Sequence, residues 1–406
     1  MKKTKKDDLR ADVKHAAREI ERYLGAHAEK IARTAARETG SPISYQHHDI
    51  EGARAFLKHI GTLETLLSPA YRYEPKGNIL IVLSANEPII TATILAFSGL
   101  FMGNTVCMKP SSKSPSYARL LAREVGRIPD LRWWMRCLAI DPKEIERRIR
   151  AHDFDRVLSF GSRSTNRKLG ITCAEAEVEF LPESEGNDWA YVDKDCGGYT
   201  IAEMSALIVE SFTRHNGQMC NALRGVMVHA SVCAALLKRL KEDFSNITVG
   251  SPLDEDARIG TLIAGTEARA RQIVEESAAG AAQVWTLPAP RNSFTPMIVV
   301  EPKDTSTLVT ESIFAPVLWV KKVKSHTDAI ALFEERNRHG LGFSVFSKDK
   351  KMIDECVRRI PVGRVNVNKP PLDIGLFDPL GGIGLSGRGG PSYWIEKMSD
   401  RKFVNQ

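Results

Sequence analysis

Residues 78–84, NILIVLS, form an apolar run with no alternation between faces. Such a run predicts a strand covered on both sides, as in a parallel sheet, and not a strand with one wet face. The chain around it repeats the pattern. Pro88 opens a helix, GNTVCMKP returns to a strand, and Ser114-Pro115 offers an N-cap and first-turn proline for another helix. WWMRCLAI, PKEIERRIRAHD and RVLSF continue as strand, helix and strand. This alternation predicts an α/β fold with a doubly wound parallel sheet. Ligands of such sheets bind beyond the carboxyl ends of the strands, so SANEP, KPSSKS and FGSRS are expected along one rim. No GxGxxG stands at the first turn.

A second alternating region begins with the helical stretch IAEMSALIVESFTRH and runs through GVMVHA, ASVCAALLKRLKEDF and SVFSKD. At 406 residues the chain exceeds one compact core, and two α/β domains are expected. Ahead of both, Leu9, Val13, Ala17, Ile20, Leu24, Ile31 and Ala35 recur at helical spacing, as do Ala53, Phe56, Leu57, Ile60, Leu63 and Leu66.

Near the start of the second region lies RHNGQMCNALRG. Most free cysteines are small buried hydrophobes, and Cys220 becomes a nucleophile only if neighbours stabilise its thiolate or the oxyanion it creates. The seven cysteines are odd in number and scattered without CxxC or Cys/His clusters. No disulfide framework, metal site or secreted protein is expected, and the compartment is read as the cytoplasm. MKKTKKDD has no apolar core after it, and no run spans a bilayer. The net charge of +7 is interspersed with acids, so neither nucleic acid nor membrane is an expected partner. Trp133-Trp134 reads as sheet packing and His47-His48 as exposed.

Taken singly, Asn86, Lys109, Glu311 and Phe314 read as a turn residue, two surface charges and a core aromatic. Together GNILIVLSANEP, GNTVCMKPSS, SFGSRS, NGQMC and ESIFAPVL resemble the aldehyde dehydrogenase superfamily in order and spacing. VGSPLDEDARIGTLI and PLGGIGLSGRGG agree, and the resemblance covers Tyr73 to the C-terminus. It implies N-terminal helices over 1–70 packed on an NAD(P)-binding domain of 71–205. A catalytic domain of 206–370 and a return segment of 371–406 with an oligomerisation strand follow.

The resemblance also implies roles. Cys220 as thiolate attacks an aldehyde, with Asn86 and its own N–H donating to the oxyanion. Glu183 matches the base that activates water, with Glu185 in competition because Ser184-Glu185-Gly186 replaces the usual small pair. Ser84, Lys109, Ser112, Gly161, Ser162, Glu311 and Phe314 surround the cofactor. Lys109 and Glu311 hold ribose hydroxyls, Gly161 and Ser162 meet the pyrophosphate, and Phe314 packs on the nicotinamide. Ser112-Lys113, where many members have a Glu, admits NADP as well as NAD.

Arg224 comes one residue early and Ala315 replaces a glycine. The short N-terminal segment and DRKFVNQ, able to add an edge strand to a partner, point to a homodimer. The leading function is NAD(P)-dependent oxidation of an aldehyde to an acid. The alternatives are reduction or formation of an acyl thioester of CoA or a carrier protein, and a catalytically silent binding homologue.

Overall fold

The computed structural model describes residues 5–290, 293–387 and 390–403. The opening MKKT, Arg388-Gly389 of the glycine-rich block and the last three residues of DRKFVNQ lie outside them.

Three helices come first: α1 (Lys5–Ala26), α2 (Ala28–Thr39) and α3 (Ile43–Lys58). Strand β1 (Tyr71–Pro75) follows, and then β2 (Asn78–Val82) with four of its five residues buried. The chain continues through α4 (Pro88–Phe101), β3 (Thr105–Lys109), α5 (Ser116–Val125), β4 (Met135–Cys137), α6 (Pro142–Arg150), β5 (Arg156–Phe160), α7 (Arg163–Glu175) and β6 (Glu179–Glu183). Five strands form a sheet in the order β4-β3-β2-β5-β6, every pair parallel. The order reverses between β2 and β5, the kind of switch point beyond whose carboxyl ends ligands of such sheets bind. Residues of α1 and α3 share one apolar core with α4 and β2.

The second sheet has seven strands. In chain order they are β7 (Asp188–Val192), β8 (Leu223–His229), β9 (Gln283–Thr286), β10 (Met297–Val300), β11 (Val317–Val323), β13 (Gly342–Phe346) and β14 (Arg364–Val367). Between them, β12 (His339–Gly340) pairs with β15 (Ile383–Gly384) in a small separate ladder. The seven-stranded order is β14-β13-β7-β8-β11-β10-β9, parallel throughout except for β9. α8 (Ile201–Thr213) and α9 (Ala230–Ser245) flank β8 in sequence, and α8 begins with a capping box of Thr200 and Glu203. β16 (Ser399–Phe403) returns to pair antiparallel with β1. Among the described residues no helix is long and apolar enough to cross a membrane.

Three local readings are corrected. β7 falls within the 71–205 span assigned to the first domain, yet it pairs with β8 and β13, so the chain changes sheets at residues 184–187. Trp133 does not pack in a sheet: it is 71% exposed under the Arg132 guanidinium. Only Met135–Cys137 of WWMRCLAI pairs, because β4 is an edge strand with a single neighbour. Ser114 does not cap α5. Its Oγ is buried without a partner, while Ser116 donates from its backbone N–H and Oγ to Glu38.

Candidate active site

Cys220 lies in the turn between α8 and β8 and is half-buried. The preceding backbone is strained: His215 (φ 49°), Asn216 (φ 59°) and Gly217 (φ 66°) are all left-handed. Two consecutive non-glycine residues hold this conformation only when their surroundings over-determine it. Those surroundings are visible. The Asn216 amide donates to Gly40 O (2.9 Å) and Thr261 O (2.7 Å), and its Oδ1 accepts from Gly260 N. Gln218 Oε1 accepts from Ile263 N, and its Nε2 donates to Thr39 O. Thus the Asn and Gln of NGQMC are pins, tying the turn to the end of α2 and to residues 260–263.

Arg224 grips the same turn from the other side. It is fully buried and donates to Gly217 O (2.6 Å), Met219 O (2.8 Å) and Ala315 O (3.4 Å). Its early place in sequence has a structural counterpart. Asp188 faces Leu223 but Trp189 faces Gly225, so Arg224 is the extra residue of a β-bulge.

The change of sheets brings Glu183, at the end of β6, to Cys220. Gly186 N–H donates to Cys220 O (3.1 Å), and a Cβ on Gly186 would lie 2.4 Å from that oxygen, so only glycine permits this approach. Glu183 is buried with neither carboxylate oxygen hydrogen-bonded, and Gly387 packs directly on it, leaving no space for a side chain. Burial pushes its pKa up to about 8. Glu185 points elsewhere: its Oε2 accepts from Arg163 N (3.1 Å) at the start of α7.

Asn86 and Glu87 approach from the rim of the first sheet, between β2 and α4, with Asn86 Nδ2 donating to Glu87 Oε2 (3.1 Å). Glu87 is the N-cap residue of α4, but its side chain makes no capping bond. Burial raises its pKa to about 7; His215 and Arg214 act in the opposite direction, and Asp49 adds to the rise. Cys220 feels all of this. Its pKa is raised well above that of an ordinary thiol, first by burial and then by the negative charges of Glu87, Glu183 and Asp188, with Arg364 opposing. This environment favours the neutral thiol.

Several groups here escaped the sequence reading. His215 is buried, with Nδ1 2.9 Å from Ser41 Oγ and Nε2 3.3 Å from Asp49 Oδ1. Burial disfavours its cation, yet Asp49 and Glu87 raise its pKa overall. Only the order ANEP, with an acid beside the amide, hinted at Glu87.

The expected cofactor residues follow the first rim. Ser84 follows β2, Lys109 ends β3, and Gly161 and Ser162 lie between β5 and α7. Ser112 and its neighbour Lys113 are exposed, and burial lowers the Lys109 pKa. Ser162 caps α7, its Oγ accepting from Thr165 N. Glu311 reaches this helix start, 3.8 Å from the Arg163 guanidinium, and Phe314 lies under Arg224. A dinucleotide fits these residues: the first N–H of α7 already binds a carboxylate oxygen of Glu185, as it would a phosphate oxygen.

Fold and site define a two-sheet α/β protein whose cysteine feels the charge of one carboxyl from the first sheet's rim and of another from the end of β6. The chain belongs to the aldehyde dehydrogenase family, whose family model, described as "Aldehyde dehydrogenase family", matches residues 9–404. It is 28% identical to NADP/NAD-dependent aldehyde dehydrogenase PuuC of Escherichia coli (strain K12), over 94% of this chain and 80% of that one. It is also 28% identical to sulfoacetaldehyde dehydrogenase of Neptuniibacter caesariensis, over 93% and 86%. Among solved structures, an NAD-dependent aldehyde dehydrogenase from Sinorhizobium meliloti superposes with a TM-score of 0.89 at 22% identity, covering 97% of this chain and 82% of that one.

Proposed function

We propose that this protein oxidises an aldehyde to a carboxylic acid with NADP or NAD, through an acyl group carried on Cys220. The observation that carries the reading is the buried, unbonded Glu183 carboxyl held beside Cys220 by the Gly186–Cys220 hydrogen bond. The resting nucleophile is a thiol, so a base must take its proton. Glu183, with a pKa of about 8, is matched to that task near neutral pH. Sulfur then adds to the carbonyl carbon, and Asn86 Nδ2 and the Cys220 N–H stabilise the oxyanion. Ser84, Lys109, Ser112, Gly161, Ser162, Glu311 and Phe314 would hold NADP or NAD, which would supply the hydride acceptor. Once the thiol's proton has passed from Glu183 to solvent, Glu183 takes a proton from water as its oxygen attacks the thioester, and that proton goes to the departing sulfur.

The five-stranded sheet is the cofactor unit in this reading, and the seven-stranded sheet carries the nucleophile. The placement of Glu183 supports hydrolysis over thioester transfer and supports Glu183 over Glu185 as the base. The protein is further proposed to be a cytoplasmic homodimer, in keeping with its seven free cysteines and its exposed terminal ribbon.

The test is a rapid-mixing experiment on Glu183→Gln with NADP and a simple aldehyde. One equivalent of reduced cofactor should still form, more slowly than in the wild type because Glu183 no longer takes the thiol proton, followed by turnover lowered by about a hundredfold or more. Cys220→Ala should give neither phase. Full steady turnover by Glu183→Gln would remove Glu183 from the mechanism.

A further inference from the structure

We propose that Glu87 determines substrate specificity, favouring aldehydes that carry a cationic nitrogen near the carbonyl. This rests on the reading of Cys220 as the nucleophile toward an aldehyde.

The argument begins with what Glu87 does not do. It stands at the start of α4 but caps nothing, and its Oε2 accepts from Asn86. Among the described residues, no lysine or arginine forms an ion pair with it. It keeps partial access to solvent, and its charge acts on Cys220. A molecule bonded to the sulfur therefore lies within the electrostatic reach of this carboxylate.

The surrounding cations are committed or turned away. His215, from the turn before Cys220, is held between Ser41 and Asp49. Arg214, from the same turn, has its guanidinium over the Tyr45 ring on α3, 6.0 Å from the centroid. The charged and titratable groups acting on Glu87 are Asp49 from α3 and Arg214 and His215 from the turn, and Glu87 in turn acts on Cys220. A substrate alkyl chain would strip water from Glu87 and return nothing. An anionic substrate would be repelled by it. An ammonium group would supply the missing partner as a charge-assisted hydrogen bond.

The carboxylate must be ionised to act, and its pKa stands at about 7. Preference for the cation should therefore strengthen as pH rises through that value.

The test compares kcat/KM for 3-aminopropanal, butanal and succinate semialdehyde in the wild type and in Glu87→Gln. Glutamine keeps an oxygen to accept from Asn86 and removes only the charge. The wild type should prefer 3-aminopropanal over butanal by about tenfold or more, with succinate semialdehyde the poorest. In Glu87→Gln the ratio should fall toward one, chiefly through a higher KM for the amine. It should rise between pH 6 and 8 in the wild type and stay flat in the variant. A wild-type ratio near one, or a ratio unchanged in Glu87→Gln, overturns the assignment. A second measurement needs no turnover: n-propylammonium should slow alkylation of Cys220 by iodoacetamide in the wild type and not in Glu87→Gln. Absence of that slowing overturns the role of Glu87 even if no aldehyde is oxidised, an outcome that would separately defeat the aldehyde reading.

Discussion

Glu183 is enclosed, unbonded and raised to a pKa of about 8, so its burial has a thermodynamic signature separate from catalysis. An ordinary carboxyl of this kind titrates near 4.5, as it does when the chain unfolds. Between those values the folded protein holds a proton that the unfolded chain has released. Stability is therefore greatest below the lower value and is lost as pH climbs toward the higher one. Glu183→Gln removes this loss. Urea unfolding should show the variant gaining on the wild type from pH 5 upward and levelling off past pH 8, by about 1–3 kcal/mol. A difference that is flat with pH, or of opposite sign, would mean that the carboxyl is solvated.

The turn from His215 to Cys220 shows what one element requires of others. Its left-handed residues are held by side chains whose partners lie in α2 and in residues 260–263. Asn216→Ala should leave Thr261 O and Gly260 N without the bonds Asn216 makes to them, and Gly40 O with only that from Thr261 N, at a cost of about 2–4 kcal/mol. The variant should show a lower Tm and a lower kcat, because the sulfur is displaced; an unchanged Tm would show that the strain is held by something else. This scale also marks where sequence stops being legible. NILIVLS was readable because burial on both faces is written into consecutive residues. Asn86, Glu183 and Cys220 were readable as candidates because ordered motifs surround them. Glu87 was not, since an acid before Pro88 looks like an ordinary helix start. The Ser41–His215–Asp49 cluster was invisible because His215 lies 174 residues beyond Ser41, and pattern carries no information across such a gap. β7 was misassigned for a related reason, as an apolar strand does not declare which of two sheets it joins.

On the scale of the whole molecule, the strand that follows the first helices meets the last described strand. β1 and β16 pair from Tyr71 opposite Phe403 to Pro75 opposite Ser399, and the ribbon shows Phe403 68% exposed and Tyr71 39% exposed. Isolated two-stranded ribbons are marginal in water, and exposed aromatic edges of this kind are natural contacts for another copy. Light scattering should give twice the 45.1 kDa chain mass. Tyr71→Asp with Phe403→Asp should shift the protein toward a single chain. A wild-type protein that is monomeric at micromolar concentration would refute the dimer.

The joining of Thr39, Gly40 and Ser41 to the turn before Cys220 also affects how the protein is made. These bonds span 174 to 179 residues. On a ribosome adding about 5–20 residues per second, the first helices wait roughly ten to thirty seconds for their partners. For that interval the end of α2 and the buried face of α3 are a nascent surface, apolar and with unfilled hydrogen bonds, and it is there that a chaperone would find its binding site.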